Sequence, residues 1–249
     1  MFDGLIGCQA PRIAHFPLYH TTLADDAIDL AGVAGIDLMP WQELTVRESL
    51  GQNGNSIGEA WWDEETGDFC GDAVTRNLTI ADGGWDWSSS NVVLIVPRQN
   101  GKNVCVYVRQ LAGLFLLGER IMHSAHEFDT AKDAHRELTN FIGNSDELEA
   151  QCLTPHKVGA AEMSIKHRNG GFIHYVARGK NAKRGRTRID LMIYDEAFAL
   201  DDFMMGSMSP LQQASRCKQT WLTSSAGADD SEVLLRFRKR GVDLSGVAA

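Results

Sequence analysis

From residue 92 onward, short apolar runs alternate with longer stretches of helical character, and this alternation limits the possible folds more than any other feature of the sequence. The strand candidates lie at residues 92–96, 120–125, 189–197 and 218–226, and helical patterns follow the first two at residues 103–119 and 127–143. Strands that alternate with helices form parallel sheets with right-handed crossovers. The sequence therefore predicts an α/β fold with a central, mainly parallel sheet flanked by helices.

The rest of the chain has other patterns. Residues 23–35 and 40–51 are typical of helices, since one ends in glycine and the other opens with proline and ends in glycine. Residues 52–91 combine turn-forming residues with four tryptophans, which predicts short antiparallel strands or a loop and a local core. The Gly170-Gly171 pair in residues 163–177 predicts an antiparallel hairpin.

Composition excludes several classes of protein. The sequence has no uninterrupted apolar run of membrane-spanning length, and its first residues lack the features of a signal peptide, so we expect a protein that is neither exported nor inserted in a membrane. The five cysteines are scattered without a C-x-x-C pair. This arrangement favours reduced thiols over disulfide bonds or a zinc site.

The charge of the chain is unevenly distributed. Residues 1–96 hold 15 Asp and Glu, 3 Arg and no Lys, whereas the net charge of the whole chain is −9. Residues 166–188 hold eight Lys and Arg and no acid. Such a segment either provides a positive field for the phosphates of a nucleotide or nucleic acid or forms a solvated basic hairpin.

Residues 97–103 form a candidate phosphate-binding loop after the first apolar run. Its Gly101-Lys102 pair matches the pattern G-x-x-x-x-G-K-[ST], but Val96 stands in place of the first glycine and Asn103 in place of the hydroxyl residue. A loop between a parallel strand and a helix presents backbone N–H groups and a helix N-terminus to a phosphate. We therefore predict a nucleotide phosphate site that consists of Pro97, Arg98, Gln99, Asn100, Gly101, Lys102 and Asn103.

Two adjacent acids, Asp195 and Glu196, follow the apolar run at residues 191–194. At the end of a buried strand these two acids need a cation to balance their negative charge. In a phosphate site the first acid, Asp195, can hold Mg²⁺ and the second, Glu196, can orient or deprotonate the attacking water. The alternative is an acidic pair that is stabilised by a helix N-terminus.

A third element, at residues 219–227, is a strand that ends in the hydroxyl residues Thr223, Ser224 and Ser225. In motor ATPases such a strand end lies beside the γ-phosphate and responds to its loss. The alternative is that these hydroxyls cap the next helix.

In this order, the motifs resemble those of the ATPase domain of the large terminase subunit of tailed bacteriophages. The resemblance covers residues 11–241 and depends on the segments PWQ, PRQNGK, HSAHEFDTA, RG…DLMIYDEA and TSSAG. It implies a P-loop NTPase fold of the ASCE or RecA-like type, with ATP as substrate and Mg²⁺ as cofactor. In that family the first glycine of the loop is often absent, and here Val96 stands in its place. An arginine also stands within the family's loop, as Arg98 does here.

The resemblance also implies roles for individual residues. Gln42 of PWQ corresponds to the glutamine that reads the adenine edge with its amide, and Thr223 and Ser224 belong to the nucleotide site. Asn103 departs from the family pattern, although its amide oxygen can ligate Mg²⁺ or a bound water. Arg184 and Arg186 both fit the position of an arginine that reaches the ATP of a neighbouring subunit.

The function that the resemblance implies is that of a motor which packages double-stranded viral DNA into a procapsid. Residues 1–91 would be the adenine-side part of this domain with an acidic, tryptophan-rich insert, and residues 92–249 the ATPase core. The implied partners are double-stranded DNA, like subunits in a ring, the portal protein and the small terminase subunit, in the host cytoplasm and without a membrane. The family's nuclease domain is not expected in this chain, which we interpret as a fragment.

Three other functions remain open: a helicase-like or other nucleic-acid translocase, a nucleotide-binding regulator that does not hydrolyse ATP, and a zinc protein that uses His123, His126 and His135. The zinc hypothesis is the weakest, because the spacing of these histidines fits no common ligand pattern.

Two geometric expectations follow from the ATPase hypothesis. ATPases that use an added glutamate have a strand between the phosphate-loop strand and the acidic strand. We therefore expect residues 219–223 to lie between residues 92–96 and 191–194. We also expect Lys102 to point toward Asp195, with Arg98 on the same loop.

Overall fold

The computed structural model describes residues 8–54, 61–63, 68–70, 85–159, 162–178, 188–227 and 231–246. The first part of the chain contains β1 (Thr21–Thr22), α1 (Ala24–Val33), α2 (Pro40–Ser49), β2 (Gly51–Gly54), β3 (Trp61–Asp63), β4 (Asp68–Cys70) and β5 (Trp85–Trp87). Strands β1, β2 and β5 form one antiparallel sheet, and β3 pairs with β4. The two predicted helices and the short antiparallel strands of this region are therefore confirmed.

The second part of the chain forms the central sheet and most of its helices. Its elements are β6 (Asn91–Ile95), α3 (Lys102–Leu111), β7 (Arg120–Ala125), α4 (Phe128–Gly143), α5 (Asp146–Gln151), β8 (Lys157–Val158), β9 (Met163–Lys166), β10 (Phe172–Ala177), β11 (Leu191–Asp195), α6 (Asp202–Met208), β12 (Gln219–Ser224) and α7 (Glu232–Ser245).

The central sheet has seven strands in the order β6-β12-β11-β7-β10-β9-β8. The five strands from β6 to β10 in this order are parallel, whereas β9 is antiparallel to both of its neighbours. Strand β12 lies between the phosphate-loop strand and the acidic strand, which confirms the predicted strand order. Its Thr223 lies opposite Leu94 on one side and Asp195 on the other.

Both faces of the sheet are buried. Successive side chains of a strand point to opposite faces, so Ile193 packs in the core that includes residues of α1 to α4, while Tyr194 packs in the core that includes α6 and α7. Trp221 and Leu222 of β12 alternate in the same way. Because helices cover both faces, the parallel strands appear in the sequence as continuous apolar runs.

A buried polar network holds α3 at the edge of the sheet where the parallel strands begin. Arg109 forms two hydrogen bonds with the Glu119 carboxylate, at 2.7 and 2.9 Å, and donates a third, at 2.9 Å, to Gln219 Oε1. Its guanidinium lies 4.8 Å from the ring centre of Trp87. The Gln219 amide donates to the carbonyls of Ser49 and Ser89, so the network joins α2, α3 and β12.

The predicted helix at residues 103–119 is shorter and less regular than expected. Helix α3 ends at Leu111 and a π-helix continues from Ala112 to Leu116. Gly118 then has a positive φ of 62°. Trp87 is buried, as predicted for a local core, whereas the side chains of Trp61, Trp62 and Trp85 lie outside the described residues.

Cys8, Cys105, Cys152 and Cys217 are reduced cysteines that form no disulfide bond with one another. None of the helices in the described part of the chain is long and apolar enough to cross a membrane.

Candidate functional site

The loop between β6 and α3 contains two residues with positive φ and ends at a helix N-terminus. Gln99 and Gly101 have φ angles of 63° and 77°, and α3 begins at Lys102 without an acid in its first turn. Residues in this left-handed conformation turn successive N–H groups to one side of the chain, and the helix N-terminus adds a partial positive charge. The loop is therefore suited to a phosphate group.

Gln42 at the start of α2 supports this loop. Its Nε2 donates to the Gly101 carbonyl at 3.0 Å, and its Oε1 accepts from the Met39 N–H at 2.8 Å. The positive φ of residue 101 favours glycine, and a Cβ atom there would also lie 2.8 Å from Gln42 Nε2, so the Gln42 side chain would have to move. The predicted role of Gln42 with adenine stays a prediction; in the structure its amide contacts the protein backbone.

Lys102 points into the sheet edge toward the acidic strand. Its ammonium lies 2.6 Å from Asp195 Oδ1 and 2.7 Å from Asn103 Oδ1. The expected contact between Lys102 and Asp195 is thus present. Arg98 is on the same loop, as expected, and its side chain is exposed together with those of Pro97, Gln99 and Asn100.

Asp195 accepts three hydrogen bonds on a single oxygen. Besides Lys102, the Thr223 hydroxyl donates to Oδ1 at 2.8 Å and the Glu196 N–H donates at 2.9 Å. Burial disfavours the charged carboxylate, but His123, the Lys102 ammonium and the hydrogen bonds from Lys102 and Thr223 together outweigh it, so the pKa of Asp195 lies below its ordinary value. Asp195 therefore carries a negative charge at neutral pH.

Glu196 has an unusual backbone conformation for a residue other than glycine. Its φ and ψ are 53° and 51°, at the start of the 3₁₀ turn Ala197–Ala199. The left-handed conformation costs roughly 1 kcal/mol or more for such a residue. The Ser224 hydroxyl accepts a hydrogen bond from the Phe198 N–H at 3.1 Å within the next turn. Both hydroxyls predicted to bind the nucleotide, those of Thr223 and Ser224, thus contact the acidic segment.

Arg178 is a site residue that the sequence did not reveal. It follows β10 at the same edge of the sheet, and its guanidinium donates to the carbonyls of Ser124, Asp195 and Glu196 at 3.0, 2.8 and 2.9 Å. Burial lowers the pKa of Arg178 to about 10, which still leaves it charged at neutral pH. The signal for Arg178 in the sequence is its position directly after a strand of the parallel sheet, within the basic segment at residues 166–188.

His123 lies beneath the acidic pair. Its Nε2 is 4.0 Å from Asp195 Oδ2, and burial lowers the pKa of the imidazole to about 4, so the ring is neutral at pH 7. The ring of Tyr175 contacts the rings of both His123 and His135, whereas His126 is exposed. The three histidines of the zinc hypothesis are thus not brought together as shared ligands.

The oxygen atoms available to a metal ion come from Asp195 and Asn103. No group of three or more His, Cys, Asp or Glu side chains in the described ranges could hold a metal. Asp195 Oδ1 and Asn103 Oδ1 both bind the same ammonium, so they are arranged around a positive charge. Mg²⁺ uses one or two protein oxygens together with water and phosphate, and this pair fits that requirement.

Arg184 and Arg186, predicted to act on a neighbouring subunit, lie outside the described residues. Of the other predicted residues, the structure brings together Lys102, Asn103, Asp195, Glu196 and Thr223 at the carboxyl ends of β6, β11 and β12. A lysine, a helix N-terminus and two acids at one sheet edge can bind a phosphate and activate a water molecule.

Neither a protein-family model nor a curated protein sequence matches the chain. Solved structures do match. The structure of the large terminase of bacteriophage HK97 aligns with 90% of this chain and 42% of its own, at 14% identity and a TM-score of 0.63.

Two further solved structures match this chain with lower TM-scores. The large terminase ATPase domain of Thermus phage P74-26 aligns with 57% of this chain and 61% of its own, at 15% identity and a TM-score of 0.42. The large terminase of a thermophilic bacteriophage aligns with 63% of this chain and 39% of its own, at 11% identity and a TM-score of 0.45.

The match to HK97 confirms, at the level of fold, the resemblance that the motifs predicted. The chain spans 42% of that protein. It has the fold of the corresponding part of a bacteriophage large terminase.

Proposed function

We propose that the protein is an ATP-hydrolysing motor domain that powers the packaging of double-stranded viral DNA into a procapsid. The observation that carries the proposal is the contact between Lys102 and Asp195 at the N-terminus of α3. It occurs in a sheet with a strand between the phosphate-loop strand and the acidic strand. The fold shared with a bacteriophage large terminase supports the same function.

In the proposed mechanism, the loop N–H groups and Lys102 bind the phosphates of ATP. Asp195 and Asn103 would hold Mg²⁺, which would neutralise charge on the phosphates. Glu196 orients the attacking water and accepts its proton. Gln42 positions the loop through its hydrogen bond to the Gly101 carbonyl. The remaining donor and acceptor positions of its amide contact adenine.

The partners belong to the same proposal. We infer that double-stranded DNA, like subunits in a ring, the portal protein and the small terminase subunit interact with this chain in the host cytoplasm. The basic composition of residues 166–188 supports contact with phosphates. Arg184 and Arg186 are the candidates for an arginine that acts on a neighbour's ATP.

The test compares Lys102→Ala with Lys132→Ala, which removes an exposed lysine of α4. Binding of a fluorescent ATP analogue and release of phosphate are measured with and without double-stranded DNA. We expect Lys102→Ala to abolish binding or turnover and Lys132→Ala to leave both unchanged. Full activity of Lys102→Ala, with its fold verified by circular dichroism, would overturn the proposal.

A second candidate function is a nucleotide-binding regulator that does not hydrolyse ATP. The observation in its favour is Asn103, which replaces the usual hydroxyl residue and whose Oδ1 already accepts from Lys102. The same assay separates the two functions. Tight ATP binding without phosphate release, at any protein or DNA concentration, would favour the regulator.

A further inference from the structure

Arg178 is the most deeply buried cation beside the acidic pair, and its hydrogen-bond partners are main-chain carbonyls. Its side chain joins the ends of three strands, because it follows β10 and donates to Ser124 of β7 and to Asp195 of β11. Its second terminal nitrogen donates to the Glu196 carbonyl. These contacts determine the orientation of the two peptide groups on either side of Glu196.

The burial of this charge is not explained by an ion pair. Arg178 is only 8% exposed, and it takes part in no salt bridge with any residue that the structure describes. Its Nε is also buried without a partner among these residues. The carboxylates of Asp195, Glu196 and Asp201 favour the charge of Arg178 from a distance, but its direct contacts are all to main-chain carbonyls. These direct contacts indicate a role in fixing the backbone and not in a charge pair.

Glu196 is the residue that these contacts affect most. Its left-handed backbone conformation is unfavourable for glutamate, and such a conformation persists only where the surroundings enforce it. The Arg178 guanidinium donates to the carbonyls on both sides of Glu196, and rotation toward an ordinary conformation would move those carbonyls away from it. The Glu196 N–H, which donates to Asp195 Oδ1, is a further restraint on the same residue.

We propose that Arg178 is a positioning residue that holds Glu196 in its left-handed conformation and thereby aims the Glu196 carboxylate at the attacking water. This inference rests on the proposed ATPase function. Arg178 acts through the backbone of its own chain and does not touch the reacting atoms. The planar fork of the guanidinium is essential, since a lysine at this position retains the charge but cannot reproduce two fixed donors.

The test measures kcat, KM and ATP-analogue affinity for Arg178→Met and Arg178→Lys. Arg136→Met is the control, because Arg136 is an exposed arginine of α4 that lies outside both the site and the basic segment and pairs only with the exposed Asp133 in the described structure. We expect both Arg178 variants to lower kcat by about 10²-fold, the loss typical of a misplaced catalytic group, with analogue affinity unchanged. Arg136→Met should behave as the wild type.

A double variant tests whether the effect of Arg178 on kcat depends on Glu196. If Arg178 acts only through Glu196, Arg178→Met should lower kcat by less than about threefold when Glu196→Gln is already present. An equal loss in both backgrounds would overturn the inference. A loss of analogue affinity would overturn it as well and would show that Arg178 contacts the nucleotide directly.

Failure of this inference differs from failure of the proposed function. If Lys102→Ala retains turnover, the ATPase hypothesis itself is wrong. If Lys102→Ala is inactive but Arg178→Met has wild-type kcat, only the positioning role is wrong. Thermal denaturation of every variant verifies that each measurement was made on folded protein.

Discussion

Lys102 Nζ and Asp195 Oδ1 lie 2.6 Å apart although 93 positions separate the two residues in the sequence. The contact crosses β12, which lies between β6, the strand before Lys102, and β11, which ends at Asp195. Thr223 of β12 donates to the same oxygen and so connects all three strand ends. Asp195 is therefore the centre of the site, and its charge is the feature that most needs testing.

The first prediction concerns this charge. Asp195→Asn preserves the shape of the side chain but removes the counter-charge of Lys102 and the anionic metal ligand. We expect turnover to fall by about 10²-fold or more, with half-maximal activity shifted to a higher Mg²⁺ concentration. A Mg²⁺ titration of the steady-state rate measures both effects.

Asp190→Asn is the control for this prediction, because Asp190 is a buried acid next to the other end of β11. Asp190 accepts hydrogen bonds from the Arg120 N–H and the Ser215 hydroxyl. Its replacement should lower stability without a change in the Mg²⁺ dependence. A wild-type Mg²⁺ profile for Asp195→Asn would show that Asp195 is not a metal ligand.

The second prediction separates binding from chemistry. Glu196→Gln keeps the size of the side chain but cannot accept a proton. We expect turnover to fall by about 10²-fold or more, the range for loss of a general base, while ATP affinity remains near the wild-type value. Equilibrium binding and single-turnover kinetics measure the two quantities, and a parallel loss of affinity would assign Glu196 a structural or metal-binding role.

The parts of this site that could be predicted from sequence are those with a one-dimensional pattern. Strands covered on both faces appear as apolar runs, so β6, β7, β11 and β12 were identified. Lys102 and Asp195 each follow such a run. Since parallel strands bring their carboxyl ends to one edge, their proximity could be inferred before the structure was known.

Arg178 could not be predicted because its partners are carbonyl groups, which every residue has. No spacing of residue types marks such a contact. The bond from Gln42 to the Gly101 carbonyl was missed for the same reason. The π-helix after α3 was also missed, because it continues the apolar pattern of a regular helix over residues 112–116.

The third prediction concerns stability, away from the site. Glu119→Gln removes the negative partner of the buried Arg109 and leaves its charge uncompensated. We expect the free energy of unfolding to fall by about 3–5 kcal/mol in urea denaturation. Asp133→Asn breaks the exposed pair with Arg136 on α4 and should cost less than about 1 kcal/mol. Similar losses for both variants would contradict the structural role of the buried pair.

The last prediction distinguishes arginines that act within a chain from those that act between chains. If Arg184 or Arg186 reaches a neighbour's ATP, it contributes roughly 10³ to 10⁵ in rate only in an assembled species. The net charge of −9 opposes self-association, so specific activity should rise with protein concentration. A mixture of Glu196→Gln with the inactive arginine→Ala variant should regain activity, because the intact Glu196 of one chain then meets the intact arginine of the other.

Arg178→Met provides the matched comparison in this mixing experiment. Arg178 contacts the backbone of Glu196 in its own chain. A mixture of Arg178→Met with Glu196→Gln therefore contains no chain in which both residues are intact, and its activity should not exceed the sum of the two variants measured separately, at any concentration. Recovery in this second mixture would show that Arg178 serves a neighbouring site, and no recovery in the first would show that Arg184 and Arg186 serve their own chain or DNA.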